Sequence, residues 1–138
     1  MNVPALLLTA LTGLSANAAD LRIEVTFTAD RHGTVLAALF EKDKAQGFPK
    51  TGAVHRGHAI AQNGRATLDF SGLPEGDYAV SVFLDENGNG QLDSNLFGLP
   101  TELYGFSRNA RGSMGPPAFA DAALRVEGSL QNHAIELK

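Results

Sequence analysis

Cysteine and tryptophan are both absent from this chain, and tyrosine occurs only at two positions. Without cysteine there is no disulfide staple, no thiolate nucleophile and no cysteine-bearing zinc site, so the fold stands on its apolar core. Charge is sparse as well, at 19% of residues, and Lys and Arg are scattered with no basic run of five or more. With few aromatic residues beside them, neither an electrostatic footprint nor a stacking platform for nucleic acid is visible. What remains is 138 residues with 43% hydrophobic content and a formal charge of -4, the composition of one globular domain.

The first nineteen residues carry no charged side chain, and Val3 to Leu14 is apolar apart from Thr9, Thr12 and Gly13. That run is too short to span a membrane, and Ala16-Asn17-Ala18 behind it offers a cleavage pattern, so residues 1–19 read as a secretory signal peptide. The expectation is an exported domain over residues 20–138, periplasmic or secreted, with no integral membrane segment after cleavage.

Downstream, Leu21, Ile23, Val25 and Phe27 alternate with polar residues at the period of a half-buried strand. Thr34 to Phe40 is apolar more continuously, which fits a strand buried on both sides. Ala53 to Ala61, Asn63-Gly64 and Arg65 to Phe70 predict a hairpin. After the turn Ser-Gly-Leu-Pro-Glu-Gly, Asp77 to Leu84 places Tyr78, Val80, Val82 and Leu84 on one side. Leu124 to Val126 and Leu130 to Leu137 supply two closing strands. The result is an all-β chain, an antiparallel β-sandwich of about seven strands, the count of an immunoglobulin-like sandwich. One long Gly/Pro-rich connection, residues 85–118, has no regular period, and connections of that length are usually functional or ordered by a ligand.

That connection opens on DENGNGQLD, residues 85–93. Asn-Gly is the strongest short turn signal, because both residues accept positive φ. Oxygen-bearing side chains at alternate positions closed by a glycine are also how a chain wraps calcium. With Asp85 at the first position, Asn87, Asn89, Gln91 through its backbone carbonyl, and Asp93 fall in calcium-loop register, and Gly90 takes the sharp bend. The twelfth position is Leu96 rather than a bidentate Glu, and strands flank the loop, which excludes a helix-loop-helix hand. A calcium loop set in a β domain is therefore expected to bind weakly, with a dissociation constant on the order of 0.1 to 1 mM. The alternative is a metal-free turn in which Asn-Gly supplies backbone geometry alone.

Other chemistry is thinly signalled. His55 and His58 stand three apart on a strand and so face opposite ways, which prevents them from sharing one ion. No nucleophile elbow occurs, and Ser107 and Ser113 have no histidine near them in sequence. Arg108 and Arg111 lie close to Tyr104, a set able to clamp a carboxylate, phosphate or sugar acid. Alternatively, the two arginines fold the long loop by pairing with Asp85, Asp93 or Glu102.

The blocks GLPEGDYAV at 72–80, DENGNGQLD at 85–93, YGFSRNARG at 104–112 and GPPAF at 115–119 resemble an exported bacterial family catalogued as domain of unknown function 2141. The resemblance implies a secreted or periplasmic protein whose family has no established activity. GLPEGDY is also similar to a turn of prealbumin-like and carboxypeptidase-regulatory-like sandwiches, in which Pro74 pre-sets φ and Tyr78 buries its ring while its hydroxyl finds a partner. The transthyretin-like hydrolases end in Tyr-Arg-Gly-Ser, whereas this chain ends His-Ala-Ile-Glu-Leu-Lys, so that activity is not implied. The reading that follows is a non-catalytic binding or accessory module. It recognises a small ligand or an envelope partner through residues 85–119 and is braced by structural calcium. The rivals are a small hydrolase or isomerase built on Arg108 and Arg111, and a purely structural envelope protein.

Overall fold

A computed structural model describes residues 18–138; residues 1–17, and with them the body of the expected leader, lie outside the described residues. Eight strands follow in order: β1 Ala18–Thr26, β2 Thr34–Glu41, β3 His55–Ile60, β4 Arg65–Pro74, β5 Gly76–Asp85, β6 Tyr104–Phe106, β7 Leu124–Val126 and β8 Leu130–Glu136. A four-residue helix, α1 Phe119–Ala122, precedes β7. The chain is an all-β sandwich of two packed sheets, as the alternating pattern predicts, with eight strands among the described residues rather than seven. The extra one is β6, three residues inside the stretch that periodicity reads as irregular. A three-residue strand is too short to display a period, and pairing with β5 is what makes it one.

One sheet has the order β4-β1-β8, and the other runs β3-β2-β5-β6 with β7 also on β5. Tyr78 pairs with Glu41 of β2 on one side and with Leu124 of β7 on the other, so β6 and β7 share the same edge of β5 end to end. The pairing is antiparallel except for β1 with β8, which run parallel from Asp20 opposite Leu130 to Thr26 opposite Glu136. Leu21, Ile23 and Val25 of β1 and Leu68 of β4 face Val35, Leu39, Val80, Val82 and Leu84 of the second sheet across a single buried core. Burial of this kind contributes roughly 1.5–3 kcal/mol for each large aliphatic side chain.

The hairpin expected at Asn63-Gly64 is corrected in one respect. The tight turn forms, with Asn63 at φ +53° and Gly64 at φ +73°, closed by reciprocal backbone bonds between Gln62 and Arg65. Beyond it the arms separate: β3 pairs with β2, whereas β4 pairs with β1 in the opposite sheet. Both arms carry an inward face, with Gly57 packed against the Phe70 ring across the core, and two sheets bury those faces where one hairpin would expose them. The turn is a corner between layers.

The outer face of the five-stranded sheet carries a second apolar cluster. Phe40, Ala79 and Phe106 point outward from β2, β5 and β6, and Ala122 of α1 packs over them. The Phe48 ring, from the polar-looking segment 41–52, sits at the centre, with centroids 5.0 Å from Phe40 and 5.9 Å from both Phe106 and Phe119 in edge-on geometry. Segments 42–52 and 107–122 are thereby fastened over one half of the sheet. Tyr78 is buried, and its hydroxyl donates to the Pro74 carbonyl at 2.6 Å, the arrangement expected of the Leu-Pro-Glu-Gly-Asp-Tyr turn.

Candidate functional site

The long connection leaves β5 at Asp85 and returns at Leu103, where Leu84 N–H donates to the Leu103 carbonyl. Between those points most of the paired amides are met by side-chain oxygens, since no strand or helix is there to satisfy them. Asp85, only 5% exposed, accepts from Gly88 N–H at 3.0 Å with one oxygen and from Gly90 N–H at 2.8 Å with the other. Gly88 and Gly90 take φ of +76° and +75°, which glycine adopts without strain, and this lets the loop curl around that carboxylate. Asn87 and Asn89 each accept from the N–H two residues ahead, at 3.2 and 3.0 Å, forming successive Asx turns. Their amide nitrogens donate to the two oxygens of Asp93 at 2.6 and 2.8 Å.

Asp85, Asn87, Asn89 and Asp93, singled out from sequence as calcium ligands, thus converge on one curl of chain. Gln91 enters it through its backbone, its N–H donating to Asn89. The donor set has the chemistry that calcium takes, two carboxylates and two amide oxygens with a backbone carbonyl. Among the described residues no three His, Asp or Glu side chains are grouped to hold a metal, so the oxygens here lean on asparagine and backbone. The curl is also closed by its own hydrogen bonds. An ion would have to turn the Asn87 and Asn89 amides from Asp93 and present oxygen in their place.

Two residues that sequence pattern alone does not nominate as ligands hold this loop from below. Glu102, 6% exposed, accepts from Glu86 N–H at 2.8 Å and from Asp93 N–H at 3.0 Å, fixing both ends of the curl to one carboxylate. Arg31, from the β1 to β2 connection, forms a bidentate pair with Glu86 and donates to the Thr101 carbonyl at 3.3 Å. That guanidinium holds the Glu86 carboxyl below the ordinary glutamate value. The signal for Glu102 was present in the sequence only as an isolated acid close after the acidic loop, and for Arg31 there was none. Both act across the fold rather than along the chain.

Arg31 occupies the role that the loop-folding alternative gives to Arg108 and Arg111, and this corrects that alternative. Asp85, Asp93 and Glu102 find their partners in backbone and asparagine N–H groups, while the arginine that pairs with the loop, through Glu86, comes from another connection. Arg108 and Arg111 instead lie on exposed surface. Ser107 on one side of Arg108 is fully buried, accepting from Val80 N–H at 2.9 Å and donating to the Ala122 carbonyl. Asn109 on the other accepts from Glu136 N–H at 2.9 Å. Pinned between them, Arg108 is held at φ +60°, a left-handed conformation that costs a non-glycine residue energy. The Arg111 guanidinium lies 5.3 Å from the centroid of the Tyr104 ring, within cation-π range. Structure therefore joins Tyr104 to Arg111 and leaves Arg108 apart. An open concavity of about 640 Å³ beside Arg111 is lined by residues 111–118 and Asp121, with no histidine among them.

His32 adjoins Arg31, and its charge helps to lower the Glu86 value, whereas the other three histidines stand apart from these groups. His55 and His58 are exposed on β3 at the sheet edge, and their alternate facing agrees with the strand geometry. His133 of β8 is half-buried, and burial lowers its basicity below the ordinary value. Among the described residues no helix is long and apolar enough to cross a membrane.

Beyond the curl, Asn95 organises a second turn by accepting from Phe97 and Leu99 N–H at 2.8 and 3.0 Å. Comparison with other proteins brings no match to a curated protein or to a solved structure, so the prealbumin-like character rests on the turn motif alone. A bacterial family model described as an uncharacterized protein conserved in bacteria matches residues 23–134, and with the four sequence blocks all inside that span, the chain belongs to this family, DUF2141.

Proposed function

We propose that this protein is an exported, non-catalytic binding module whose recognition surface is the 85–119 region, with the 85–93 curl acting as a calcium-stiffened brace. The observation that carries the reading is the double anchoring of that curl: Asp85 and Glu102 together receive the N–H groups of Glu86, Gly88, Gly90 and Asp93. Four charge-assisted bonds spent on one exposed loop are what a scaffold uses to present a surface in fixed shape. A binding role is further supported by the exposed Arg111, which lies over the half-buried Tyr104 ring beside an open concavity. Export rests on the leader expected in residues 1–19 alone; β1 begins inside that span, with Ala18 and Ala19 paired to β4.

Calcium calorimetry tests the brace. At about 10 mM calcium, roughly ten to a hundred times the expected dissociation constant, binding to the native state adds about 1.4–2.7 kcal/mol of stability. The melting temperature then rises by several degrees, and Asp93→Asn removes the rise. No heat of binding together with no change in melting temperature would remove calcium from the reading.

A further inference from the structure

Residues 94–101, Ser-Asn-Leu-Phe-Gly-Leu-Pro-Thr, contain no charged side chain and project from the braced loop. Leu96 is 100% exposed, Phe97 87% and Leu99 61%, so this chain's described residues leave three large apolar side chains uncovered at one turn. Isolated exposed apolar residues are ordinary, but a contiguous group on a rigid tip marks an interaction site.

The backbone of the tip says what kind. Phe97 and Leu99 N–H donate to the Asn95 side chain, Gly98 N–H to the Asn95 carbonyl, Asn95 N–H to the Leu99 carbonyl, and Thr101 N–H to the Asp93 carbonyl. Position 100 is proline and has no N–H to satisfy. A loop that remains in water can leave such groups to water. A loop that enters hydrocarbon cannot, because each unsatisfied backbone group there costs several kcal/mol. Five of the seven N–H groups of this tip are satisfied within the loop, those of Ser94 and Leu96 being the exceptions, while its large apolar side chains stand outside.

We propose that the 94–101 tip inserts into a zwitterionic lipid surface, with Leu96, Phe97 and Leu99 entering the region between headgroups and acyl chains. The inference rests on reading 85–119 as the recognition surface, and names what that surface recognises. Three side chains on one turn fall well short of the roughly 20–30 residues that each partner brings to a specific protein interface, whereas a bilayer accepts a small wedge without a matching pocket. The charges behind the tip favour a zwitterionic surface over an anionic one, since Asp85, Asp93 and Glu102 stand at its base and Arg31 is committed to Glu86.

The absence of tryptophan supplies the test. In the full chain, Phe97→Trp introduces a single indole at the tip, whose emission reports its own surroundings whatever other segments do. With phosphatidylcholine vesicles the emission is expected to shift to the blue and to be quenched by brominated acyl chains. Adding Leu96→Ser and Leu99→Ser is expected to weaken partitioning by about tenfold or more per residue, from the transfer free energy of each side chain. Because both leucines are solvent-exposed, their substitution should leave the melting temperature in place. An indole that keeps its aqueous emission at saturating vesicle concentration overturns the proposal. So does a blue shift without vesicles that grows with protein concentration, which would seat a second copy on the tip. The calcium melt is read on the same protein. A calcium rise with an aqueous indole sinks the lipid inference alone, and a lipid shift without a calcium rise sinks only the metal brace.

Discussion

Replacing Glu102 by alanine removes one carboxylate and two hydrogen bonds at once, the 2.8 Å bond from Glu86 N–H and the 3.0 Å bond from Asp93 N–H. Bonds to a charged acceptor contribute about 1.5–3 kcal/mol each, so the pair is worth at most about 3–6 kcal/mol. Part returns when water reaches the freed amides, and the loss to the global fold cannot exceed what separates the braced loop from a detached one. The expected cost is about 3 kcal/mol. For a chain of this size, that lowers the melting temperature by roughly 10 °C or more. Glu102→Gln keeps the size and one acceptor oxygen while turning an N–H donor toward the other amide, and should fall between alanine and the native residue. Chemical denaturation gives the global term, and amide exchange at Glu86 and Asp93 gives the local one. If Glu102→Ala costs under about 0.5 kcal/mol and both amides keep their protection, the carboxylate is not the anchor and the brace argument is wrong.

Other consequences follow from single contacts. Arg108→Gly relieves about 1–2 kcal/mol of left-handed strain against about 0.4–1 kcal/mol of added unfolded-state freedom, so denaturation should show a gain near 0.5 kcal/mol; a loss would mean that the arginine side chain has a structural partner. Tyr78→Phe leaves the Pro74 carbonyl without its hydroxyl donor in a buried turn and should cost about 1–2 kcal/mol in the same assay. Because Arg31 lowers the folded-state value of Glu86 below its ordinary 4.5, the pair stabilises the fold above that pH and loses its contribution as pH falls through the folded value; Glu86→Gln should flatten that part of the acid stability curve. His133 is shifted down by burial, so its protonation favours the unfolded chain, and stability should decline as pH falls below 6.5 by an amount that His133→Gln removes.

Much of the scaffold was legible in sequence because its strands are half-buried. The alternation of Leu21, Ile23 and Val25 or of Tyr78, Val80, Val82 and Leu84 states which face meets the core, and the sandwich obeys it. Asn63-Gly64 likewise specified a turn, since positive φ is a local property. It could not specify which strands lie beside the turn, because sheet membership depends on partners far along the chain. Aromatic residues in polar surroundings were opaque for the same reason: Phe48 and Phe119 have no periodic neighbours, and only the folded outer face of β2, β5 and β6 collects them.

At the candidate site the division is the same. Sequence by itself determined the oxygen-rich curl at Asp85, Asn87, Asn89 and Asp93 and the left-handed glycines that permit it. Those are properties of short stretches, decided by side-chain reach and by allowed φ. Tertiary structure alone decided that Arg31 and Glu102 hold the curl, that Arg108 and Arg111 are free of it, and that Leu96, Phe97 and Leu99 are left uncovered. Pairing across the fold and burial are set by what else packs nearby, which spacing along the chain does not encode.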